Sequence, residues 1–365
     1  MSAYRAGLVG CGRIGALWET DPAKPLTHAG ALSLTPGVQL VAGSSRGCEH
    51  LEWFGRRFNV TALYQDFRRM FAAERLEVVA IATHPGLHRD IVEAAVESGV
   101  RGILCEKPLA LNLQDADTIV DVCRRSGCVL AVNHSRRWNP AWIKGRELVQ
   151  GGAIGKVTGL FGVCQGIKPY PAWTAEEEGP LIHDAVHLFD QFRAFAGNPL
   201  SVVGTAVKRQ QPFRVEDDSQ AIFEFEGGVS AVAMVNELTR YSRFELEVQG
   251  TQGLLLLSER GHRLYRDVRV TGGRKEPDPR TEWWALEEAP FPAPPPAPSI
   301  LRAAGELVRC METGETPSST GEDGVASLEM CMGVYESQLR GNSLVSFPLR
   351  QRDSQLYRLR AAGQL

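Results

Sequence analysis

Long apolar segments are missing from this sequence, and so are other features that would point to particular protein classes. No apolar run approaches the roughly 20 residues that a bilayer-spanning helix needs, so we expect no contact with a membrane. The first residues do not show a basic stretch followed by an apolar core, which is the pattern of a secretory leader. We therefore expect a cytoplasmic protein.

An excess of positive charge is also absent. The sequence has 40 Lys and Arg against 43 Asp and Glu, a formal net charge of -3, whereas a nucleic-acid binder normally presents a basic face. We expect no nucleic-acid partner. The eight cysteines are dispersed, and the two that lie closest, Cys123 and Cys128, lack the spacing of a common zinc-site pair. We expect the cysteines to be reduced and mostly buried.

The first third of the chain alternates short apolar runs with helical periodicity. The full length of 365 residues exceeds what one hydrophobic core usually serves, so we expect two domains. Strands are predicted at 4–9, 38–42, 78–82, 102–105 and 129–133, and helices at 88–98 and 113–125. This alternation predicts an α/β fold with a doubly wound parallel sheet.

The pattern changes after about residue 131. Strands are predicted at 157–164, 202–208, 219–225, 229–236 and 244–248, with Gly227-Gly228 as a hairpin turn. Their close succession predicts an open, mainly antiparallel sheet. The proline-rich stretch 290–298 is expected to cross the surface, and helices are predicted at 300–312 and 322–337.

A glycine-rich turn follows the first predicted strand. Gly10-Cys11-Gly12-Arg13-Ile14-Gly15 matches G-x-G-x-x-G and is expected to open a helix. Gly10 would permit the tight turn, Gly12 would let backbone amides approach a pyrophosphate, and Gly15 would let the helix pack on the strand. These six residues predict a dinucleotide site; the alternative is a glycine turn without a ligand.

The end of the second strand bears on the choice of cofactor. An NAD-binding domain usually carries an acidic residue there, which accepts hydrogen bonds from the ribose 2′-hydroxyl. This sequence has Gly43-Ser44-Ser45-Arg46 instead. Ser45 and Arg46 would accommodate a 2′-phosphate, so NADP is favoured over NAD, although a solvent-facing arginine is the alternative reading.

Several motifs accompany the glycine-rich turn. The segment Cys105-Glu106-Lys107-Pro108-Leu109-Ala110 lies at the carboxyl end of a predicted strand, where open α/β sheets bind ligands. Four further segments stand out: Thr83-His84-Pro85 followed by His88, Arg136-Arg137-Trp138-Asn139-Pro140, Gly250-Thr251-Gln252-Gly253 and Gly321-Glu322-Asp323-Gly324. In their kind and order, these motifs resemble those of the Gfo/Idh/MocA family of oxidoreductases.

The resemblance implies an NAD(P)-dependent dehydrogenase or reductase acting on a small polyhydroxylated substrate, such as a sugar or polyol. Lys107 matches the catalytic lysine, which would hydrogen-bond the reacting oxygen, and the Lys107–Pro108 peptide is expected to be cis. Cofactor contacts are implied for Thr83, His84, Pro85, His88, Glu106 and Lys107. A Rossmann domain is expected over 1–133, a substrate-binding and oligomerisation domain over 134–350, and a tail over 351–365. In that family the exposed face of the second sheet commonly forms an interface between copies, so the resemblance implies a homodimer or homotetramer.

The segment 181–190 resembles the family's active-site helix, in which an aspartate is followed four positions later by a histidine. His187 takes the histidine position, but His183 occupies the aspartate position and Asp184 lies one residue later. On a helix all three would share one face. We expect His187 to act as general base, Asp184 to orient it, and His183 to contact substrate.

Alternatives remain open for these residues. His183 and His187 at i and i+4 resemble a zinc-protease pair, but no third ligand is apparent and that reading ignores the glycine turn, so we expect no metal. The replaced aspartate also allows a catalytically silent nucleotide sensor, and some relatives use NAD transiently in hydrolysis. Arg136, Trp138 and Trp173 are expected near the substrate, with packing as the alternative.

Overall fold

The computed structural model describes residues 3–21, 23–166, 174–270 and 283–365. The chain forms two compact units, each discontinuous in sequence. The first contains Met1–Asn139, Pro296–Glu329 and Arg350–Ser354, and the second contains Pro140–Pro295, Met330–Leu349 and Gln355–Leu365. The division of the sequence into consecutive domains at residue 133 stays a prediction.

Six parallel strands form the sheet of the first unit. In chain order they are β1 (Tyr4–Val9), β2 (Val38–Ser44), β3 (Ala62–Tyr64), β4 (Val78–Ile81), β5 (Gly102–Cys105) and β6 (Val129–Val132). Their spatial order is β3-β2-β1-β4-β5-β6, so the strand order reverses between β1 and β4. The prediction of a doubly wound parallel sheet is confirmed, and its carboxyl edge at this reversal is where such sheets bind ligands.

A second sheet of nine strands lies in the second unit. Its strands are β7 (Val157–Gln165), β8 (Pro199–Val207), β9 (Asp218–Phe225), β10 (Ser230–Asn236), β11 (Arg243–Gly250), β12 (Gly253–Ser258), β13 (Gly261–Val270), β14 (Trp283–Ala289) and β15 (Val345–Ser346). Strands β7 and β10 run parallel, and the other neighbouring pairs are antiparallel. Gly227 and Gly228 form the predicted turn between β9 and β10, both with positive φ. The expected mainly antiparallel sheet is confirmed.

Eleven α-helices are described. They are α1 (His28–Leu34), α2 (Cys48–Phe58), α3 (Phe67–Glu74), α4 (His88–Glu97), α5 (Leu113–Ser126), α6 (Pro140–Gln150), α7 (Thr174–Glu177), α8 (Val186–Ala196), α9 (Ser299–Thr313), α10 (Gly321–Leu339) and α11 (Gln355–Ala361). Gly127 ends α5 with a left-handed backbone. None of the helices in the described part of the chain is long and apolar enough to cross a bilayer.

The core of the first unit includes residues distant in sequence. Helix α9 packs against β5 and β6, and its Leu307 is buried in the same apolar cluster as Leu8 and Val78. Gly102 permits this contact, because a Cβ atom there would lie 2.3 Å from the sulfur of Met311. The cysteines are all free, and seven of the eight are buried.

Candidate active site

The glycine-rich turn connects β1 to the rest of the sheet's carboxyl edge. Gly10 has φ +97°, and its amide donates to the Ser44 carbonyl over 2.8 Å. The buried Cys11 thiol contacts the same carbonyl at 3.8 Å, and burial raises its pKa to about 12. The turn is therefore tied to the end of β2.

The other two glycines of the motif differ in what surrounds them. A Cβ atom on Gly15 would lie 1.9 Å from the Gly10 carbonyl oxygen, whereas one on Gly12 would meet nothing within 4 Å. Gly15 thus allows the π-helical segment to pack against the backbone of Gly10. The backbone at Gly12 has free space beside it that a ligand could approach. This arrangement fits a bound dinucleotide phosphate.

The segment after the glycine turn differs from the expected helix. Residues Arg13–Leu17 form one π-helical turn of five residues, and α1 begins only at His28. Pro25 cannot supply a helical N–H, while Glu19 accepts hydrogen bonds from the backbone and hydroxyl of Thr27. Thr27 in turn caps α1 by accepting from the Gly30 amide at 3.1 Å. This loop positions His28 in the first turn of α1.

The end of β2 carries the residues expected to select the cofactor. The strand ends at Ser44, Ser45 is half-buried and Arg46 is exposed. Gly47 then caps α2, which has Glu49 in its first turn. The exposed cation Arg46 therefore lies two positions after the end of β2. Between the strand and Glu49 there is no acidic residue.

Glu106 lies at the centre of a buried polar cluster at the end of β5. Its Oε1 atom is 2.8 Å from Nε2 of His28 and accepts from Nδ2 of Asn133 at 2.6 Å. The Lys107 amide donates to Oε2 at 3.3 Å. The carboxylate therefore links the start of α1, the end of β5 and the residue after β6.

The charge of Glu106 is stabilised by these neighbours. Burial by itself would raise its pKa, but the hydrogen bond and charge of His28, the Lys107 ammonium and the amide of Asn133 together lower the pKa to about 2. The Lys107–Pro108 peptide is cis, as the resemblance implied. Lys107 is partly exposed between buried neighbours, so its side chain reaches the edge of the sheet.

The loop after β4 divides into accessible and buried residues. Thr83 and His84 are partly exposed, and Pro85 is buried in a short 3-10 turn. Nδ1 of His84 accepts from the Gly86 amide at 3.1 Å. His88 is fully buried, with its ring nitrogens 3.1 Å from the Leu109 carbonyl and 3.2 Å from the Thr83 carbonyl. His88 therefore braces this loop against the one that carries Lys107.

The histidine segment of the second unit begins with a π-helical turn, Leu181–Ala185, and continues as α8. His183, Asp184 and His187 are each partly exposed, whereas the intervening Leu181, Ile182, Ala185 and Val186 are buried. The three polar residues thus form the accessible stripe of this segment. Nδ1 of His183 is hydrogen-bonded to the carboxylate of the fully buried Glu178.

A second buried carboxylate supports the start of this segment. Oε1 of Glu216 accepts from the Leu181 amide at 3.0 Å and from the Tyr335 hydroxyl at 2.8 Å. Burial raises the pKa of Glu216 to about 8, against the lowering effect of these hydrogen bonds. With this raised pKa, the Glu216 carboxyl loses its proton at a higher pH than an exposed glutamate does.

The residues expected near the substrate have different surroundings. Trp138 is 2% exposed, lies in the apolar cluster of the first unit, and donates its indole N–H to Glu306 at 2.5 Å. This burial favours the packing alternative, and a substrate contact of Trp138 stays a prediction. Arg136 is partly exposed in a 3-10 turn. Trp173 lies outside the described residues.

Three side chains that bond to candidate site residues were not predicted from the sequence: His28 and Asn133, which contact Glu106, and Glu178, which contacts His183. Asn133 is the last residue of a predicted strand, at the carboxyl edge of the sheet, and this position could have identified it. His28 and Glu178 carry no local signal, because each contacts a partner that only the folded chain brings near. Among the described residues, no group of three or more His, Cys, Asp or Glu side chains is arranged to hold a metal.

Comparison with known proteins agrees with this geometry. Residues 4–134 match the GFO_IDH_MocA model, described as an oxidoreductase family with an NAD-binding Rossmann fold, and residues 142–256 match the GFO/IDH/MocA C-terminal domain. The chain is 28% identical to a D-apiose dehydrogenase from Paraburkholderia graminis, over 93% of this chain and 89% of that protein. It is 24% identical to a myo-inositol 2-dehydrogenase from Thermotoga maritima, over 89% and 93% respectively.

A solved structure supports the fold. An oxidoreductase from Agrobacterium radiobacter, in complex with NAD+, L-tartaric acid and magnesium, superimposes with a TM-score of 0.77 and 23% identity, covering 94% of this chain and 98% of that one. Both family models fall on the parts of the chain that carry the glycine turn, Lys107 and the histidine segment. The chain belongs to the Gfo/Idh/MocA family and is an NAD(P)-dependent dehydrogenase or reductase acting on CH–OH groups.

Proposed function

We propose that this enzyme transfers a hydride between nicotinamide and a carbinol carbon of a sugar or polyol, with Lys107 and His187 acting on the substrate oxygen. The relatives named for D-apiose and myo-inositol support this substrate class. The observation that carries the proposal is the buried cluster of Glu106, His28 and Asn133, which fixes the backbone on which Lys107 is presented.

Lys107 is proposed to donate a hydrogen bond to the substrate oxygen. A bound nicotinamide supplies the hydride acceptor or donor. As the oxygen gains alkoxide character, the ammonium of Lys107 stabilises the developing charge. Lys107 follows the buried Glu106 and donates its amide to that carboxylate, just beyond the end of β5, which supports its presentation at the carboxyl edge of the sheet.

His187 is proposed as the general base that takes the hydroxyl proton, with Asp184 orienting its ring. Imidazole titrates near working pH, which suits this exchange. His187 and Asp184 lie three positions apart on the accessible stripe of the segment, a spacing that brings helical side chains together. Arg136 is proposed to assist substrate binding.

NADP is proposed as the preferred cofactor. Gly10, Cys11, Gly12, Arg13, Ile14 and Gly15 would hold the pyrophosphate, and Ser45 and Arg46 the 2′-phosphate; Thr83, His84 and Pro85 would lie beside the nicotinamide half, braced by His88. The exposed guanidinium of Arg46 directly after β2 supports this preference. The cytoplasm is the proposed location.

The open face of the nine-stranded sheet is proposed as the interface of a homodimer or homotetramer. Val232 pairs with Phe161 on one side and with Ile222 on the other, and their exposed fractions are 37%, 37% and 50%. Such an apolar row suits burial against a second copy. A dinucleotide-binding domain over 1–133, an assembly and substrate domain over 134–350 and a tail over 351–365 remain our proposal, supported by the two family matches.

Turnover of a substrate panel by the purified protein tests the proposed function. D-apiose, D-xylose, myo-inositol and scyllo-inositol are each supplied with NAD+ and with NADP+, and reduced nicotinamide is followed by its absorbance. We expect turnover of at least one member, and Lys107→Ala to lower kcat/KM by about 100-fold or more.

Lys144→Ala is the matched control, because Lys144 bonds to Glu147 on the surface of α6. Its kcat/KM should equal that of the wild type. Tight nucleotide binding without turnover of any CH–OH compound would instead favour the silent sensor. Full activity of Lys107→Ala would exclude the proposed role of this lysine.

A further inference from the structure

The residue at the usual aspartate position of the active-site helix, His183, has a carboxylate partner of its own. Glu178 lies five positions upstream, is fully buried, and bonds Nδ1 of His183. His183 itself is partly exposed, with 19% of its side chain accessible. One ring nitrogen is thus held from inside the unit while the imidazole reaches its surface.

The backbone around Glu178 is held on several sides. The Tyr335 hydroxyl lies 3.4 Å from the Glu178 carbonyl and 2.8 Å from Oε1 of Glu216. Glu216 also accepts from the Leu181 amide, so both ends of the Glu178–Leu181 turn are anchored. Gly179 has φ +65°, and a Cβ atom there would lie 2.5 Å from the Glu216 carboxylate. The turn therefore needs a glycine, and it directs Glu178 inward.

The bond to Glu178 determines how the imidazole of His183 can behave. An ionised carboxylate only accepts hydrogen bonds, so Nδ1 of His183 must carry the proton. In the neutral ring Nε2 then has a lone pair and acts as an acceptor. The hydrogen bond that Nδ1–H donates to the carboxylate fixes both the tautomer and the orientation of the ring, as it does for histidines in catalytic triads.

We propose that Glu178 is a positioning residue that holds His183 with Nδ1 protonated, so that Nε2 accepts a hydrogen bond from a second hydroxyl of the substrate. This inference rests on the proposed function. It adds that the substrate carries a hydroxyl beside the one that is oxidised, as vicinal polyols do.

Nitrogen-15 NMR of labelled histidines tests the positioning directly, without any substrate. The signal of His183 is assigned by its loss in His183→Gln. We expect Nδ1 to be protonated in the wild type, and the Nε2-protonated form to gain population in Glu178→Gln. Glu178→Asp, which keeps the carboxylate, should restore the wild-type tautomer at least in part.

Glu176→Gln is the matched control, since Glu176 is an exposed glutamate two positions upstream, and its spectrum should match that of the wild type. A wild-type His183 protonated on Nε2 would overturn the proposal. So would an unchanged tautomer in Glu178→Gln, provided that thermal unfolding shows the variant to be folded.

Steady-state kinetics tests the contact with substrate. Loss of one well-placed hydrogen bond should raise KM by about tenfold in Glu178→Gln, with a smaller change in kcat. A shifted tautomer with an unchanged KM would remove the second hydroxyl from the proposal and so overturn it. Absence of turnover in the wild type would instead refute the proposed function, because the tautomer is measured independently.

Discussion

Nε2 of His28 and Oε1 of Glu106 lie 2.8 Å apart, although 78 positions separate the two residues in sequence. Both side chains are buried, and Glu106 directly precedes Lys107. A histidine at the start of α1 thus holds the residue directly before Lys107, the proposed catalytic lysine. Its removal would leave a buried carboxylate with less compensation than the native fold provides.

His28→Ala is therefore expected to reduce the free energy of unfolding by about 3 kcal/mol. Denaturation by urea measures this change, and His50→Ala, which alters an exposed histidine, is the control. The variant should also lose turnover, because Glu106 and Lys107 share their backbone. A stability within about 0.5 kcal/mol of the wild type, the range of neutral surface changes, would contradict the prediction.

The glycine turn predicts opposite outcomes for two alanine variants. Gly15→Ala places a Cβ atom 1.9 Å from the Gly10 carbonyl oxygen, and backbone cannot move aside cheaply, so the melting temperature should fall sharply or the protein should not fold. Gly12→Ala meets nothing within 4 Å and should fold normally, yet bind nucleotide at least tenfold more weakly, about 1.4 kcal/mol. Thermal unfolding and fluorescence titration measure the two effects; wild-type affinity in Gly12→Ala would place the nucleotide elsewhere.

Arg46 should discriminate between the two nicotinamide cofactors. Arg46→Ala is expected to weaken NADP binding by about 10- to 100-fold, the strength of a charge-assisted hydrogen bond, and to leave NAD binding nearly unchanged. Titration with both nucleotides measures this ratio. Arg56→Ala is the control, because Arg56 is an exposed arginine on the following helix α2. This variant should bind both nucleotides with the affinity of the wild type. An equal loss for both cofactors would refute a 2′-phosphate contact.

Glu216 should make stability depend on pH. Its pKa is raised from 4.5 to about 8 by burial, so between these values the folded state holds a proton that the unfolded state has released. Stability should therefore fall as pH rises through this window. Glu216→Gln should flatten the slope, and melting temperatures from about pH 5 to 8 measure it. Glu106 acts at lower pH, because its pKa is lowered to about 2. If the melting temperatures of the wild type and of Glu216→Gln changed in parallel with pH, Glu216 would be ionised throughout this range and the prediction would be wrong.

The open sheet face predicts a change in oligomeric state. Ile222→Lys puts a charge on the most exposed residue of the apolar row, and it should convert the assembly to smaller species in light scattering coupled to size exclusion. Lys208→Glu, a charge change elsewhere in the second unit, is the control. An unchanged mass for Ile222→Lys would move the interface away from this face.

Local patterns predicted most of the first sheet. Strand β1 was predicted with its observed limits, because four consecutive apolar or small residues, 6–9, end at a glycine cluster. Strand β3, Ala62–Tyr64, was missed since three half-buried residues carry no periodic signal. Strands β12, β13 and β14 were also missed, because the last strand predicted from the sequence ended at residue 248.

The candidate site was predictable where chemistry is encoded by neighbours in sequence. The glycine turn and the Glu106-Lys107-Pro108 motif belong to this group. The partners of Glu106 and His183 were not predictable, because His28 and Glu178 acquire their roles only through contacts made in the folded chain. Packing and substrate contact could not be distinguished for Trp138 for a related reason, since an aromatic ring in a loop segment does not indicate whether it will be buried in a core.

The inclusion of α9 in the first unit has a consequence for how the protein is made. The six parallel strands are complete by residue 132, but the helix that packs on β5 and β6 begins at residue 299. While the ribosome synthesises the intervening residues, the apolar surface that α9 will cover lacks its partner. Emerging N-terminal domains often fold before the rest of the chain. The first unit of this protein cannot complete its core until α9 has been synthesised. Nascent chains of this protein are thus expected to depend on chaperones, and a fragment that ends after β6 to aggregate.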